Sequence, residues 1–468
     1  MTAPIQIIEN RTFDEIEIGD TAKLQRVLRP QDIETFTVAS RDVNSDHSDL
    51  ICAKDDSFHH IVTQGVWGAS LISTLLGTKL PGPGTIYAGQ SLEFRQPVAV
   101  GDTITANVRV TEKRPQNRHV VLTCECTNQH GEVVIAGTLD VVALAEKVRQ
   151  PCHVLAEVDR QEPGRKLRLL IERAGKLPPI RTAIVHPCDE LSLAGALDAR
   201  DAGLITPLLI GPRAKIEGAA TTAGRDLDGI EIVEVPHSHA AASEAAKLAR
   251  DGKVQALMKG ALHTDELMAA VVTHDAGLCT DRRMSHVFVI DVPRYPKPLF
   301  VTDAAVNISP TLEDKRDIVQ NAIDLCRALE VVPPKVAILA AVETVSAKMR
   351  STLDAAALCK MAQRGQIEGG ILDGPLALDN AISMAAARTK HIVSDVAGNA
   401  DILVAPDLEA GNMLTKELIY LAGAEAAGLV LGARVPIVLT SRSDSALSRI
   451  ASCALMRLFV HSREINRP

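Results

Sequence analysis

The hydrophobic pattern of the chain changes once, near residue 146, and this change constrains the fold more than any other feature. Before it, segments such as Thr103 to Thr111 and Val120 to Thr127 alternate apolar and polar residues, as half-buried antiparallel strands do. After it, short and fully apolar runs alternate with Ala-rich helical segments, which is typical of a parallel sheet covered on both faces. The sequence therefore predicts two different folds in one chain.

Residues 1–145 are predicted to form an α+β domain, with an antiparallel sheet around one central helix. The stretch from Val66 to Leu76 is apolar and too long for a typical strand, so it is predicted to be a buried helix. The predicted strands are Gln90 to Phe94, Thr103 to Thr111, Val120 to Thr127 and Glu132 to Leu144. The charged, proline-bearing residues 146–165 are predicted to be a linker.

Residues 166–468 are predicted to form a two-lobed α/β domain with mostly parallel sheets. The second lobe is expected at roughly 300–435, with the C-terminal segment returning to the first lobe. Nine apolar strands are predicted: Thr182 to Val185, Pro207 to Ile210, Ile230 to Val235, Ala256 to Met258, Val287 to Ile290, Val336 to Ala341, Gly370 to Leu372, Ile402 to Val404 and Pro436 to Thr440.

Composition excludes several classes of partner. A net charge of -8 and an aromatic fraction of 2 % argue against nucleic acid, because little is available to neutralise phosphates or stack on bases. No apolar run approaches the roughly 18 residues of a membrane span. The N-terminus lacks a basic region followed by an apolar run, and the nine cysteines are expected to be free thiols, so a cytoplasmic protein is predicted.

The first candidate site is the stretch S-R-D-V-N-S-D-H-S-D, residues 40–49. Asp42 and His47 are five residues apart, and a loop can place both around one water, where one group removes a proton and the other donates one. On spacing alone, a polar turn is the favoured explanation of the stretch, since Asp, Asn and Ser are common turn residues.

This stretch resembles the hydratase motif of the MaoC-like hot-dog family. The resemblance continues through I-V-T-Q-G-V-W-G-A-S-L-I-S, L-P-G-P-G-T-I-Y and Q-S-L-E-F-R-Q-P-V-A-V-G-D-T-I, and covers residues 10–145. It implies a sheet wrapped around one helix, and hydration of a trans-2-enoyl-CoA to an (R)-3-hydroxyacyl-CoA.

By this resemblance, Asp42 and His47 would activate the attacking water, and Asn44 would contact substrate. Backbone N–H groups near Gly65, at the start of the helix, would bind the thioester oxygen. The motif departs from the family at Arg41, where Gly is usual, and at Ser45, where Pro is usual. A hot-dog domain that binds acyl-CoA without catalysis is therefore the alternative.

A second candidate site comes from five stretches near predicted strand ends, where open α/β sheets bind ligands. They combine small residues with Lys, Arg, Ser, Thr and Asn, which hold small oxyanions. Each stretch alone is more often a capped turn than a site, and it is the shared chemistry of the five that indicates binding. The stretches are Leu257 to Thr264, Thr302 to Asn307, Asp373 to Ala381, Pro406 to Lys416 and Leu439 to Arg449.

From about Arg165 to the C-terminus, the motifs resemble the phosphate acetyltransferase and phosphate butyryltransferase family, including V-E-T-V-S-A-K-M and G-Q-I-E-G-G. The final T-S-R-S-D-S is closer to the butyryl branch. The resemblance implies acyl transfer between CoA and inorganic phosphate, with CoA thioesters and phosphate as substrates and no tightly bound cofactor. No metal is expected, since zinc-enzyme motifs are absent.

Residue types fit this chemistry. Arg442 suits bidentate phosphate binding, and the Ser441 hydroxyl can donate to the leaving sulfur or to the oxyanion. The acetyltransferase branch has its base Asp near the position of Ser448, so Asp444 either acts as the base or holds Arg442. Further predicted substrate contacts are Lys259, His263 and Thr264, together with Asn380 and Asn412, for which helix capping is the alternative.

The sequence as a whole predicts a bifunctional acyl-CoA enzyme that forms a homo-oligomer. One alternative makes one domain a non-catalytic acyl-CoA or acyl-phosphate sensor that regulates the other. A second alternative makes the C-terminal half a two-lobed hydroxy-acid dehydrogenase, which would need a nicotinamide and a divalent metal.

Overall fold

The computed structural model describes residues 6–40, 65–152, 163–273, 276–440 and 444–465. The chain divides into two compact units, the first ending at Arg160 and the second beginning at Gln161. Each has its own hydrophobic core. None of the helices in these ranges is both long enough and apolar enough to cross a lipid bilayer.

In the first unit, five described strands form an antiparallel sheet in the order β2-β4-β5-β6-β3. The predicted central helix and the four predicted strands are confirmed, with boundaries that differ by a few residues. The elements are strands β1 Gln6–Glu9, β2 Thr21–Val27, β3 Ile86–Phe94, β4 Thr103–Arg114, β5 His119–Thr127, β6 Val133–Val142 and β7 Arg149–Cys152, and helices α1 Pro30–Ser40 and α2 Val66–Thr78.

Helix α2 supplies the centre of this core. Leu71, Ile72 and Leu75 are buried and belong to one apolar cluster with the inward-facing side chains of β4 and β5. Gly68 permits close contact, because a Cβ there would lie 2.5 Å from the Ile135 Cδ1 atom. A hot-dog arrangement follows from these contacts, as the sequence predicted.

The segment after residue 145 remains attached to this unit through Asn10. The buried Asn10 side chain donates from Nδ2 to the Glu146 carbonyl (2.9 Å) and accepts at Oδ1 from the Val148 N–H (2.7 Å). Strand β7 then pairs antiparallel with β1. The predicted linker therefore contains a short strand.

The second unit contains the remaining described elements. Its strands are β8 Ile180–Val185, β9 Ile205–Gly211, β10 Glu231–Glu234, β11 Ala256–Lys259, β12 Ser285–Asp291, β13 Leu299–Thr302, β14 Lys335–Leu339, β15 Ile371–Leu376, β16 Ile402–Val404, β17 Glu425–Leu431 and β18 Ile437–Val438. Its helices are α3 Arg165–Gly175, α4 Glu190–Asp201, α5 Arg213–Thr222, α6 Ser238–Arg250, α7 Thr264–Val272, α8 Leu312–Ala328, α9 Arg350–Gln363, α10 Leu378–Ile382, α11 Met384–Thr389, α12 Leu408–Tyr420 and α13 Ala446–Ile465.

These strands form one sheet, whose eleven described members have the order β10-β9-β8-β11-β18-β17-β12-β13-β16-β14-β15. The first five strands are mutually parallel, and so are the last four. Between them, β17 is antiparallel to β18 and β12, and β12 is antiparallel to β13. The two parallel runs therefore point in opposite directions, and their carboxyl ends lie at opposite edges of the sheet.

Several helices of the second unit start where the sequence supplies a side-chain oxygen for the first turn. Asp189 accepts from the Ser192 N–H before α4, Thr311 from the Asp314 N–H before α8, and Asp407 from the Ala410 N–H before α12. Such caps satisfy N–H groups that have no partner inside the helix. They fix the turns that follow β8 and β16.

Candidate active site

Most of the first predicted site falls between two described ranges. Asp42, Asn44 and His47 lie outside the described residues. Gly65 is described, is exposed, and immediately precedes α2. A Cβ on Gly65 would lie 3.1 Å from the Phe94 ring, so an aromatic side chain adjoins the start of this helix.

The second candidate site is built where β8, β11 and β18 end side by side. In this run β9 and β10 extend to one side of β8, and β11 lies on the other, so the crevice between β8 and β11 is a topological switch point. Ligands of open α/β sheets bind at such points, beyond the carboxyl ends of the strands.

Gly260 allows the turns after β8 and β11 to meet. Its N–H donates to the Val185 carbonyl (2.9 Å), and the Ala261 N–H donates to the His186 carbonyl (2.8 Å). A Cβ at position 260 would lie 2.5 Å from the Val185 oxygen, which is too close for any other residue. The glycine of L-M-K-G-A-L-H-T is therefore required by backbone contact.

Lys259 joins β11 to the loop after β18. Its ammonium group lies 3.3 Å from the Thr440 carbonyl and 3.4 Å from that of Gly260, and the Thr440 hydroxyl donates to the Lys259 carbonyl (3.1 Å). Thr440 directly precedes Ser441 and Arg442, which lie outside the described residues. The structure thus places Lys259 beside the residue that leads into the predicted Ser-Arg pair.

A small pocket opens at this crevice. Its lining includes Lys259 and Thr440, Asp189 and Ser192 from the start of α4, and Arg449 from the first turns of α13. Arg449 was not among the predicted site residues. Its Nε atom is buried and has no hydrogen-bond acceptor in the described part of the chain.

His263 and Thr264 stand at the start of α7 and are exposed. The His263 N–H donates to the Glu266 carboxylate (3.1 Å), which also accepts from the Ser238 hydroxyl (3.0 Å). These contacts shape the helix start. A substrate contact of His263 or Thr264 remains a prediction.

Asp444 is described and lies two residues before α13. At the position predicted for the base of the acetyltransferase branch, the Ser448 hydroxyl donates to the Glu425 carboxylate (3.1 Å), as does the Ser445 hydroxyl (2.8 Å). Glu425 begins β17 and was missed by the sequence analysis, because its stretch, E-A-A-G-L-V-L, has no local feature that marks a site. A carboxylate other than Asp444 therefore adjoins this helix start.

The three other predicted stretches lie at or directly after the carboxyl ends of β13, β15 and β16, at the opposite edge of the sheet. In T-D-A-A-V-N, the buried Asp303 carboxylate accepts from the N–H groups of Ala305 (2.9 Å), Val306 (3.1 Å) and Asn307 (3.0 Å). The Asn307 side chain donates to Asp303 (2.5 Å) and to the Met284 carbonyl (2.8 Å). This network uses its polar groups internally.

Asn380 and Asn412 also belong to this edge. Asn412 donates from Nδ2 to the Ala304 carbonyl (3.0 Å), which fastens α12 to the loop after β13. Asn380 is completely buried within α10, and neither side-chain polar atom has a partner in the described ranges. Neither residue is a helix cap, since α10 and α12 are preceded by Ala377 and Asp407.

The chemistry of nearby groups narrows the reaction types. Burial raises the pKa of the Cys188 thiol, close to Asp189, to about 11, so this thiol is protonated at neutral pH and is a poor nucleophile. Among the described residues, no three His, Cys, Asp or Glu side chains gather as metal ligands. Lys259 and Arg449 instead give the pocket two cations, which suit an oxyanion.

The second unit is an α/β domain with a small cationic pocket at a topological switch point, the first is a hot-dog domain, and comparison with known proteins assigns each to a family. Residues 238–457 match the phosphate acetyl/butaryl transferase family, and residues 14–130 match the MaoC like domain. The chain belongs to the phosphate acetyl/butyryltransferase family and carries a MaoC-like domain. It is an enzyme, and this membership contradicts the dehydrogenase alternative.

Individual relatives agree with the transferase match. A phosphate acetyltransferase of Rhizobium meliloti is 60% identical over 302 residues, which cover 64% of this chain and 95% of the relative. A branched-chain phosphotransacylase from Enterococcus faecalis V583 has 30% identity and a TM-score of 0.54, and the match covers 60% of this chain and 99% of that structure. The (R)-hydratase PhaJ1 from Pseudomonas aeruginosa has 33% identity and a TM-score of 0.31 over 32% of this chain and 96% of that structure.

Proposed function

We propose that the chain is bifunctional: its second unit transfers an acyl group between CoA and inorganic phosphate, and its first unit hydrates trans-2-enoyl-CoA. The main support for the transfer site is the contact between Lys259 and Thr440, which brings a cation to the residue that directly precedes the S-R pair in the chain, at the switch point of the sheet. The family match supplies the reaction.

In the transfer reaction, a phosphate oxygen attacks the thioester carbon, an oxyanion forms, and the C–S bond breaks to release CoA. Arg442 and Lys259 orient the phosphate and lower the repulsion between two anions, so that attack is effectively unimolecular. The Ser441 hydroxyl donates a hydrogen bond to the oxyanion or to the departing sulfur. The carboxylate of Asp444 holds Arg442 or accepts a proton.

Acetyl transfer is the proposed preference. The relative with 60% identity is a phosphate acetyltransferase, whereas the branched-chain phosphotransacylase has 30% identity. Acetyl-CoA should therefore give a higher kcat/KM than butyryl-CoA when phosphate-dependent CoA release is measured. A higher value for butyryl-CoA would assign the chain to the butyryl branch, as its T-S-R-S-D-S motif suggests.

Substitutions test the transfer site. Ser441→Ala and Arg442→Ala should each lower CoA release from acetyl-CoA by about 100-fold or more, because each removes a group that stabilises developing charge. Ser443→Ala, in the same stretch of sequence, is the matched control and should retain activity. Equal rates for wild type and both site variants would refute the assignment.

The hydratase proposal rests on the MaoC-like match together with the observed position of Gly65 at the start of α2. The N–H groups of the first helical turn have no acceptor within the helix, so they can bind a thioester oxygen as negative charge develops. Asp42 and His47 would hold and deprotonate the attacking water and return a proton to the α-carbon.

Loss of enoyl absorbance from crotonyl-CoA measures hydration. Asp42→Asn should lower this rate by about 100-fold or more, as expected for a general base, and leave phosphate-dependent CoA release unchanged. Asp49→Asn changes a carboxylate of the same stretch and should hydrate at the wild-type rate. A wild-type protein that binds crotonyl-CoA without hydrating it would make the first unit a binding or regulatory domain.

A further inference from the structure

We propose that Arg449 is a second cation for the phosphate substrate, acting with Lys259 at the crevice between β8 and β11. This inference rests on the proposed acyl transfer to phosphate. It adds a binding residue outside the S-R pair and explains a glycine in α4.

The Arg449 guanidinium has a buried nitrogen, Nε, that lacks a hydrogen-bond partner in the described structure. A guanidinium donor left unpaired in a buried site is costly, so an acceptor supplied by substrate would stabilise the arrangement. The same side chain lines the pocket that Lys259 and Thr440 also line.

The charge of the pocket favours a small anion. Asp189 is the carboxylate in the lining, and it already accepts a hydrogen bond from the Ser192 N–H (2.7 Å) as the cap of α4. Within the described ranges, no ion pair joins Asp189 to Arg449. A phosphate ion can engage the planar guanidinium through two oxygens and the ammonium through a third.

Helix α4 makes room for this guanidinium. A Cβ on the buried Gly195 would lie 2.9 Å from the Arg449 Cδ atom and 3.3 Å from its Nε atom. Glycine is otherwise unfavourable in a helix interior, so its presence here fits a requirement for close approach. Any side chain at position 195 should push Arg449 away from its observed position.

The pocket is also small, and its lining includes Thr440, which directly precedes the predicted Ser-Arg pair in the chain. Inorganic phosphate matches this location, because the attacking oxygen must lie close to the group that stabilises the oxyanion. The phosphate groups of CoA are the other source of the same chemistry. If the pocket binds inorganic phosphate, substitution of Arg449 changes the KM for phosphate. If it binds a phosphate group of CoA, the substitution changes the KM for acetyl-CoA.

The test measures initial rates of CoA release with acetyl-CoA and phosphate varied independently. Arg449→Met should raise the KM for phosphate by about tenfold or more and change the KM for acetyl-CoA by less than twofold. Arg449→Lys should give an intermediate KM for phosphate, since charge is kept but bidentate geometry is lost. An unchanged KM for phosphate, or a raised KM for acetyl-CoA in its place, would overturn the proposal.

Gly195→Ala provides a test that leaves the arginine in the sequence. It should raise the KM for phosphate several-fold without loss of thermal stability, because alanine favours the helix. Gly218→Ala is the matched control, since a Cβ at this exposed position of α5 meets nothing within 4 Å. Identical kinetics for the two alanine variants would contradict the role of Arg449.

Calorimetric titration of full-length protein with inorganic phosphate tests the proposed phosphate site separately from the proposed transfer reaction. Binding by wild type that Arg449→Met weakens tenfold supports the site even if no CoA is released, in which case only the proposed transfer reaction fails. Equal affinity of wild type and Arg449→Met overturns the site, whatever the activity.

Discussion

The two edges of the large sheet contain similar polar residues with different hydrogen bonding. At the edge of β13 and β16, Asp303 and Asn307 form hydrogen bonds with each other and with the surrounding backbone. At the edge of β8 and β11, Arg449 has a buried nitrogen without an acceptor in the described structure. Residue type alone therefore does not separate the Arg449 pocket from the Asp303 network, whereas their hydrogen bonding does. Asn380, which is buried without a partner in the described ranges, is the exception at the Asp303 edge.

Among the substitutions that test this comparison, the largest change in the free energy of unfolding is expected for Asp303→Asn. Asp303→Asn replaces one carboxylate oxygen with an NH2 group. This group faces N–H donors and cannot accept their hydrogen bonds. Loss of charge-assisted hydrogen bonds in a buried site should lower the free energy of unfolding of the second unit by about 3 kcal/mol. Urea unfolding followed by circular dichroism measures this change, and fluorescence of the chain's one Trp, buried Trp67, reports the first unit separately.

The folded Asp303→Asn variant should keep its KM for phosphate within twofold of wild type. A tenfold rise in this KM at unchanged stability would place a phosphate ligand at the edge of β13. The two edges would then share one function, contrary to the comparison.

His286 offers a pH test of the same edge. Burial lowers the pKa of His286 from 6.5 to about 4, although the neighbouring Asp303 acts in the opposite direction. The folded protein thus binds a proton less readily than the unfolded chain. The stability due to neutral His286 is complete above pH 6.5 and falls as the pH drops from 6.5 towards 4.

Between pH 7 and pH 5, this group should lower the free energy of unfolding of the second unit by about 2 kcal/mol. Glutamine does not titrate, so the free energy of unfolding of His286→Gln should fall by about 2 kcal/mol less than that of wild type between pH 7 and pH 5. The variant is expected to be less stable than wild type at pH 7. Urea unfolding at both pH values gives the difference. Parallel pH profiles for variant and wild type would show that His286 is not the responsible group.

The fold was predictable where local pattern determines burial. The helix that begins at Val66 and nine of the eleven described strands of the second unit were found from the sequence. The two missed strands have misleading local features: β17 reads E-A-A-G-L-V-L, which resembles an Ala-rich helix, and β13 has four residues after a proline-bearing turn. Both are next to β12, in the antiparallel centre of the sheet.

Strand direction could not be predicted from the sequence, because an apolar run indicates burial on both faces but not the direction of the neighbouring strands. The five predicted binding stretches therefore looked equivalent, although β17 and β12 reverse the second parallel run and place three of them at the other edge. Arg449 was missed for a related reason. Arg449 lines the same pocket as Lys259 although the two are 190 positions apart in the chain, and no local motif records this.

Asn412→Ala should give the smallest change in the free energy of unfolding, and it tests whether the β13 edge contacts substrate. Its side chain donates one hydrogen bond, to the Ala304 carbonyl, between α12 and the loop after β13. Asn412→Ala should lower the free energy of unfolding by about 1 kcal/mol, the usual net value of such a bond. Urea unfolding measures this loss, while kcat and both KM values should stay within twofold of wild type. A lower kcat or a higher KM without a stability change would mean that Asn412 contacts substrate, as the sequence first suggested, and that the β13 edge takes part in catalysis.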